Sequence, residues 1–427
     1  MKQFPKILIL SRGFRAGDAI TTLNLFSRFP KECLFCASLF ESQFTSCFNE
    51  YYVLGADEIK FNFPFKYLAN VPQSHIAKIN ISVFDTGNSK HSLKYKVYKR
   101  LVLPLLQRLD MYETRYSMIL NSQFIEWLHK ISPNIIYTSI GDIPMARLVL
   151  NIHERFPDIK IAVHCFDDWP NPTYKIWNTQ KHYLRAEKLL NQVLDIATLR
   201  FTSSEKMRVE YKERYGYIFS CFTNPVKIHA FLTNVEKSKI PNIVFAGKIG
   251  WHNNTAILDM MQAVECLNCM GISIKLDLYT DCSSEQIDFF LGNIPQTTFL
   301  HKPVPNSHIL EILSASHILF LPISITTHTE RFTRYSMSTK MGEYLASGIP
   351  IVYCGPSTIA MTEFLKDNEC AIVIEGRGEQ ALREAILKCL KQDEEILKMT
   401  QRGLEIAYSY FNMDVVSEKF AQTFLYV

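Results

Sequence analysis

Residues 242–250 read NIVFAGKIG, a short apolar run that ends in a loop with two glycines. A run of this kind is typical of a strand that is buried on both faces of a parallel sheet. Ile257, Met260, Met261 and Val264 follow at helical spacing, so a helix comes directly after the strand. This order of strand, glycine loop and helix predicts a Rossmann-like unit that binds its ligands at the carboxyl ends of the strands.

The same alternation of short apolar runs and helical patterns continues downstream of this segment. Further strands are predicted at 272–279, where apolar residues alternate as in a half-covered strand, and at 318–322, 349–353 and 371–374. Helices are predicted over about 339–347 and around 382–390. The first of these ends at Gly348, and Pro350 lies just beyond it, which together make a helix stop signal.

The first half of the chain repeats the pattern, which predicts a second domain of the same class. Its strands are predicted at 6–10, 34–39, 135–139, 160–165 and 197–201, with a helix around 143–155. The predicted architecture is therefore α/β, with two tandem Rossmann-like, doubly wound domains facing a central cleft. The predicted divisions are a first domain over 1–223, a linker over 224–241, a second domain over 242–405 and a C-terminal helical segment over 406–427. Whether that last segment crosses back to the first domain is left open.

A basic helical insertion is predicted at about 88–130 within the first domain. Six basic residues precede its first acid, Asp110, and an apolar stripe accompanies them. The basic residues are Lys90, Lys94, Lys96, Lys99, Arg100 and Arg108, and the stripe is Leu93, Val97, Leu101 and Leu105. Two interpretations remain open, a surface helix with a solvated basic face or a helix that docks on an anionic membrane.

Composition excludes several classes of protein. The 427 residues are 47% hydrophobic and 21% charged, as in soluble globular proteins, and the formal net charge of +4 does not favour a nucleic-acid partner. Apolar runs are too short for a membrane helix or a signal peptide, so we expect a cytoplasmic protein, with peripheral contact at the inner face of the membrane left open. The eleven cysteines are then expected to be reduced thiols, and the two C-x-x-C spacings lie too far apart for a zinc site.

Two loops at predicted strand ends carry candidate binding groups. In SRGFRAGD, residues 11–18, Gly13 and Gly17 would let backbone N–H groups approach a phosphate, although a tight turn without a ligand fits equally. The second loop leads into the helix over 339–347. There Ser338 and Thr339 are good helix-start residues, and Lys340 supplies a point charge suited to a diphosphate.

Glu343 completes this second group, since a carboxylate one turn into the helix can accept hydrogen bonds from the two hydroxyls of a ribose. The other interpretation is an ordinary surface helix with a solvated Lys–Glu pair.

The segment STKMGEYLASGIPIV, residues 338–352, resembles the donor-site signature of the family-4 (group 1) retaining glycosyltransferases, which have the GT-B fold. Other segments match in the order of that family over nearly the whole chain. IVFAGKIGWHNN resembles the loop whose basic residue holds the donor diphosphate, here Lys248. The segment 297–322 resembles the part that lines the nucleotide base, with Val304 near the base. IAVHCFDDWP resembles the strand whose histidine, here His164, contacts the transferred sugar.

The resemblance implies a retaining transferase that moves a sugar from a nucleotide diphosphate-sugar to a growing glycan or lipid-linked acceptor, in bacterial cell-surface polysaccharide synthesis. The nucleotide-sugar is then a co-substrate, and neither a further cofactor nor a metal is expected. The catalytic candidates are His164, Lys248, Lys340 and Glu343; the donor-binding candidates are Gly13, Gly17, Val304, Ser338, Thr339 and Glu343; the acceptor-side candidate is Asp168.

Two departures from the family pattern keep alternatives open. Tyr335 stands eight positions before Glu343, where the family commonly has a second glutamate. The second basic residue expected after Lys248 is absent, and His252, Arg331 or Arg334 is the candidate to replace it. The alternatives are a glycosyltransferase-like protein that binds without turnover, or a nucleotide-sugar epimerase or phosphorylase on the same fold. His164 and Asp168 also have structural interpretations, as a hydrogen-bond partner and a turn cap. The sequence does not identify the sugar, nucleotide, acceptor or oligomeric state.

Overall fold

The computed structural model describes residues 4–14, 16–63, 65, 71–77, 102–170, 179–228, 235–304 and 306–425. The chain divides into two compact units, one of residues 1–223 with 417–427 and one of residues 224–416. The basic residues Lys90, Lys94, Lys96, Lys99 and Arg100, and Leu93, Val97 and Leu101 of the apolar stripe, lie outside the described residues. Within the ranges above, no helix is long and apolar enough to cross a membrane.

The first unit is built on a sheet of eight strands, in the order β10-β9-β8-β7-β1-β2-β3-β5, while β4 and β6 pair separately. Its strands are β1 (Ile7–Ser11), β2 (Leu34–Ser38), β3 (Glu50–Val53), β4 (Ile59–Phe61), β5 (His75–Ile76), β6 (Tyr116–Met118), β7 (Ile135–Thr138), β8 (Lys160–Cys165), β9 (Ala197–Thr202) and β10 (Ser220–Cys221). Its helices are α1 (Ala16–Leu25), α2 (Leu103–Arg108), α3 (Ser122–Ile131), α4 (Ile143–Arg155), α5 (Gln180–Ile196) and α6 (Glu205–Tyr215). The eight strands are parallel except for β5, which is antiparallel to β3. Because β1 lies between β2 and β7, the order of the strands reverses at β1.

The second unit is a six-stranded, fully parallel sheet in the order β13-β12-β11-β14-β15-β16. Its strands are β11 (Asn242–Ala246), β12 (Lys275–Tyr279), β13 (Thr298–His301), β14 (Ile318–Pro322), β15 (Ile351–Cys354) and β16 (Ile372–Ile374). Its helices are α7 (Asn254–Cys269), α8 (Ser284–Leu291), α9 (Asn306–Ala315), α10 (Thr327–Thr333), α11 (Thr339–Ala346), α12 (Ala360–Asp367), α13 (Glu379–Lys391) and α14 (Glu394–Ile406), followed by α15 (Met413–Leu425). Here the strand order reverses between β11 and β14, which is where ligands bind in sheets of this class.

Two helices that follow strands of the first unit begin at polar capping side chains. Asp142 accepts a hydrogen bond from the Met145 N–H at 2.8 Å at the start of α4, and Ser204 does the same for α6, at 3.1 Å from the Met207 nitrogen. These caps satisfy N–H groups that the helix itself leaves unpaired. The last residues of the chain, on α15, add aromatic packing to the first unit, where Phe420 lies 5.0 Å from Phe26 between ring centroids.

The structure confirms the predicted α/β, doubly wound class. The predicted strands at 160–165 and 318–322 and the predicted helix at 143–155 coincide with β8, β14 and α4. The strand predicted at 272–279 is β12, and Lys275 and Tyr279 on its polar side are half-buried, as in a half-covered strand. The exception is Asp277, which is buried with its carboxylate 2.9 Å from His301 Nε2 and 2.9 Å from Asn242 Nδ2. Partners on the two neighbouring strands compensate this carboxylate, which the alternation of residue types does not reveal.

Candidate nucleotide-sugar site

Gly247 allows the loop after β11 to make an unusually close contact. Its φ is +154°, and a Cβ atom there would lie 2.2 Å from Cε and 2.7 Å from Nζ of Lys340. No side chain fits at that distance, so any other residue would displace the lysine. Glycine at this position therefore lets the Lys340 side chain, which comes from α11, run across the backbone at the end of β11.

The rest of this loop is fixed by Asn253, which is buried. Its Oδ1 accepts a hydrogen bond from the Gly250 N–H at 2.9 Å, and its Nδ2 donates to the Lys248 carbonyl at 3.0 Å. The backbone around Lys248 is thus held in one conformation, while the Lys248 side chain is exposed. Neither Asn253 nor its role was predicted from the sequence.

Helix α11 is locked against the same strand end. The Ala246 N–H donates to the Tyr344 hydroxyl at 3.1 Å. A Cβ on Gly342 would lie 2.7 Å from Val226 and 2.9 Å from Phe411, so this helix packs closely on its other side as well. Ser338 caps the helix, with its Oγ 3.3 Å from the Lys340 nitrogen. The predicted start of the helix at Ser338 and Thr339 agrees with this cap and with the bounds of α11.

Lys340 and Glu343 are half-buried in the first turns of α11. Among the residues that the structure describes, no hydrogen bond or ion pair ends on either charged group; the nearest ring to the Lys340 ammonium is Phe245, at 5.8 Å from its centroid. Burial lowers the pKa of Lys340, although the charges of Glu343 and Asp281 oppose that effect. Burial raises the pKa of Glu343 to about 7, against the opposing charge of Lys340. Two titratable groups therefore sit in a poorly solvated place with nearby opposite charges but no described hydrogen bond or ion pair, an arrangement that is more frequent at functional sites than elsewhere.

His252 belongs to the same neighbourhood, since its pKa responds to both lysines. Burial, together with the charges of Lys340 and Lys248, lowers this pKa to about 4. The imidazole is consequently neutral near pH 7 and does not supply the second positive charge expected after Lys248. Of the three candidates for that charge, this leaves Arg331 and Arg334, both of which are exposed on or next to α10.

Two further predicted positions lie in the second unit. Val304 is half-buried in the loop that follows β13, at the same carboxyl edge of the sheet as Lys248. Tyr335, which stands where a second glutamate is common in the family, is a buried side chain with Arg334 above its ring, 5.8 Å from the centroid. No acidic group therefore occupies that position.

In the first unit, His164 lies near the end of β8 and is completely buried. Its Nδ1 is 2.7 Å from the Tyr137 hydroxyl, and its ring stacks on Phe166 with centroids 4.0 Å apart. Burial lowers the pKa of His164 to about 3, so the ring is neutral at physiological pH. The surroundings of this histidine are those of a core residue with a hydrogen-bond partner.

Asp168 is engaged by two side chains of α6. Its Oδ1 accepts hydrogen bonds from the Tyr211 hydroxyl at 2.9 Å and from Arg214 Nη1 at 2.8 Å, and the carboxylate is buried. Its described contacts tie the loop after β8 to α6. The Asp168 carboxylate is therefore engaged by the fold of this unit.

The loop after β1 contains Gly13, and Gly17 lies in the first turns of α1. An ion pair crosses the point where the strand order of this sheet reverses. Arg12, which follows β1, lies 3.0 Å from the Oδ2 atom of Asp142, which caps the helix after β7. Burial acts to lower the pKa of Arg12, but the charges of Asp142, Tyr116, Tyr112 and Glu113 together outweigh it and the pKa is raised. The sequence pattern did not indicate this pair, because its members lie in separate loops.

Over the described part of the chain, no group of three or more His, Cys, Asp or Glu side chains is arranged to hold a metal ion. All eleven cysteines are free thiols.

The comparisons with known proteins agree with this geometry. The family described as glycosyl transferases group 1 matches residues 240–392, which confirms the resemblance seen in the sequence for that segment. No curated protein matches the chain.

Solved structures that match over the whole chain establish the fold as GT-B. HepE from Anabaena, solved in complex with UDP-glucose, is 13% identical with a TM-score of 0.61, and the match covers 99% of this chain and 100% of HepE. Sucrose-phosphate synthase from Thermosynechococcus elongatus is 10% identical with a TM-score of 0.58 and 98% coverage of both chains. WaaG, a glycosyltransferase involved in lipopolysaccharide biosynthesis, is 11% identical with a TM-score of 0.54, covering 98% of this chain and 99% of WaaG.

Proposed function

We propose that the second unit binds a nucleotide diphosphate-sugar and that the protein transfers the sugar to an acceptor. The observation that carries this proposal is the pair Lys340 and Glu343, held half-buried beside the Gly247–Lys248 loop without a described hydrogen bond or ion pair to either charged group. A nucleotide diphosphate has the complementary groups, with phosphate oxygens for the lysines and ribose hydroxyls for the carboxylate. The match of residues 240–392 to the group 1 glycosyl transferases supports the same chemistry.

In the transfer, the bond between the anomeric carbon and the diphosphate oxygen breaks and a bond from that carbon to an acceptor oxygen forms. Negative charge grows on the departing diphosphate, which also receives the proton of the acceptor hydroxyl. Lys248, Lys340 and the N-terminal end of α11 would stabilise this charge, because preorganised positive groups lower the energy of the transition state. We infer retention of configuration from the sequence resemblance to the retaining family.

We also propose that the transfer needs no metal, since two lysine ammonium groups already serve the diphosphate. Activity should then be unchanged by EDTA. Loss of activity with chelator and its return with Mg²⁺ or Mn²⁺ would show that a cation completes the site.

The direct test is to incubate the protein with UDP-, GDP- and ADP-sugars and to measure nucleotide binding by calorimetry and donor consumption by chromatography. We expect one nucleotide class to bind and its sugar to be consumed. The variant Glu343→Gln should bind it more weakly, whereas Glu384→Gln, on the exposed side of α13 with its carboxylate 3.2 Å from Gln380, should not. If no nucleotide binds, the proposal is wrong.

A lipid-linked acceptor, in the synthesis of a bacterial surface polysaccharide, is the acceptor that we propose. Helix α2 leaves apolar side chains unburied next to the basic segment, with Leu105 55% and Leu109 58% exposed. Pro104 lies in the first turn of α2, where its missing N–H costs little. Exposed apolar side chains that follow many cationic residues in the sequence are suited to an anionic membrane surface at the cytoplasmic side.

Liposome co-sedimentation tests this membrane contact. Binding should appear with anionic but not neutral vesicles and should weaken as salt screens the charges. It should also fall when Lys94, Lys96, Lys99 and Arg100 are replaced together by glutamine. Equal sedimentation of the parent and this variant would refute the contact.

A second candidate function is a nucleotide-sugar binder without turnover. Buried Tyr335, in place of an acidic residue, favours it because a carboxylate contact to the sugar is missing there. Slow donor hydrolysis or transfer would exclude this candidate, whereas tight binding without any donor consumption would favour it.

A further inference from the structure

Trp251, in the loop after β11, is unusually exposed for a tryptophan. It leaves 39% of its surface accessible, whereas Trp127 and Trp169 are 3% and 2% exposed. Tryptophan is one of the side chains with the largest average burial, so an exposed indole is informative when other observations accompany it. Here it stands three residues after Lys248 on one loop.

The indole is supported from one side by two rings of α10. His328 lies 4.4 Å from Trp251 between ring centroids, and Phe332 lies 4.9 Å away with its plane at 73°. His328 and Phe332 are four residues apart on α10 and therefore share one face of the helix. We call these three rings the aromatic platform.

The backbone that carries the platform is also fixed. Asn253, two residues after Trp251, bonds back to Gly250 and Lys248 before it, and the Ser324 N–H donates to the His252 carbonyl at 2.7 Å. A ring that is already held in place loses little conformational freedom when a ligand stacks on it. An exposed, rigid aromatic face is therefore available beside the charged groups.

The order of the strands indicates which part of a donor would reach the platform. In the sheet, β11 lies between β12 and β14. Val304 follows β13, on one side of the Lys248 loop, and the platform packs on α10, which follows β14 on the other side. A nucleotide-sugar is a linear molecule with the diphosphate between the base and the sugar. With the base near Val304 and the diphosphate at Lys248, the sugar extends towards the platform.

We propose that the aromatic platform binds the sugar ring of the donor, with an apolar C–H face of the sugar against the indole of Trp251. This assignment rests on the proposed function. A pyranose has faces lined by C–H groups that pack on an aromatic ring, while its hydroxyls point outward and stay free for hydrogen bonds. The platform thereby selects for the shape of the sugar and does not contribute to binding of the nucleotide.

The test compares each nucleotide with its sugar conjugate. UDP with UDP-glucose, GDP with GDP-mannose and ADP with ADP-glucose are titrated into the parent, Trp251→Ala and Trp251→Phe. For the pair that binds the parent, Trp251→Ala should raise the Kd of the nucleotide-sugar about tenfold and change the Kd of the nucleoside diphosphate less than about twofold. Trp251→Phe should retain most of the affinity. The matched control is Phe289→Ala on α8, because Phe289 is an aromatic side chain that is 81% exposed.

Tryptophan fluorescence gives a second reading on the intact site. The emission of the parent should shift with the nucleotide-sugar and not with the nucleoside diphosphate, and the shift should be absent in Trp251→Phe. If Trp251→Ala loses equal affinity for the nucleotide and its sugar conjugate, or loses none for either, the platform proposal is wrong. The proposed function would still stand in that case, provided that nucleotide binding depends on Glu343. If no nucleotide binds the parent, the proposed function fails and the platform fails with it.

Discussion

The end of β8 in the first unit and the end of β11 in the second carry comparable side chains in opposite electrostatic states. After β8, Asp168 is buried with an arginine and a tyrosine bonded to its carboxylate. Beside the end of β11, Lys340 and Glu343 of α11 are half-buried and, within the described residues, no hydrogen bond or ion pair ends on their charged groups. Burial of a charge is costly unless a partner compensates it, so the first arrangement is compensated and the second is maintained at a cost. This is the difference expected between a residue that serves the fold and one that serves a ligand.

Removing the Lys340 charge should have the largest effect on activity. We expect Lys340→Met to lower turnover by about one to three decades, because it deletes one preorganised charge at the departing diphosphate. The melting temperature should stay the same or rise, since no ion pair is lost. Steady-state kinetics and thermal unfolding measure the two effects, and Lys388→Met is the control, because Lys388 forms an exposed ion pair with Glu395. Full activity of Lys340→Met would place this lysine outside the site.

Removing the carboxylate of Asp168 should have the reverse effects, a loss of stability with nucleotide affinity unchanged. Asp168→Ala leaves Arg214 without its buried partner, which typically costs about 3–5 kcal/mol of unfolding free energy. Chemical denaturation should show this loss. Nucleotide affinity of the folded fraction should remain that of the parent, because the change lies outside the nucleotide-binding unit. A stable Asp168→Ala protein with impaired transfer would instead support the acceptor-side role.

The contrast between the two strand ends also shows how much of the fold and of the candidate site the sequence predicts. Strand ends, glycine loops and the helix with Lys340 and Glu343 follow from local patterns, because apolar runs and cap residues act over a few neighbours. Local patterns do not predict which partners contact a buried charged group, because those partners are distant in the sequence. Arg214 is 46 residues from Asp168, and Lys340 contacts a glycine 93 positions before it. Short, partly exposed β13 was also missed, because two of its four residues are exposed and give no apolar run.

Neutralising Glu343 should weaken nucleotide binding and, at the same time, stabilise the free protein. The neutral amide of Glu343→Gln is a poorer acceptor for ribose hydroxyls, so affinity should fall by about tenfold. The pKa of Glu343 is raised from 4.5 to about 7 in the folded protein, so the folded state holds its proton more tightly than the unfolded state. The free energy of unfolding therefore decreases as pH rises from about 4.5 to 7.

Glu343→Gln removes this decrease, and its gain in stability should be larger at pH 8 than at pH 5, by up to about 3 kcal/mol. Denaturation curves at the two pH values measure the gain, and calorimetry measures the affinity. A variant that loses stability at pH 8 would contradict the uncompensated state of this carboxylate.

The smallest effect is expected at His252, which sharpens the comparison because this histidine lies beside the two lysines yet is neutral. Its pKa is lowered from 6.5 to about 4, so the unfolded state binds a proton below about pH 6.5 while the folded state does not. The contribution of His252 to the free energy of unfolding is therefore fully present above pH 6.5 and is lost as pH falls towards 4. His252→Gln should therefore lose less stability than the parent between pH 7.5 and pH 5, by about 2 kcal/mol. At pH 7.5 its nucleotide affinity should stay within about threefold of the parent, because a neutral side chain replaces a neutral side chain. A loss of affinity as large as the tenfold loss expected for Glu343→Gln would mean that His252 becomes charged when the diphosphate binds, and it would move this residue from the supporting loop to the binding groups.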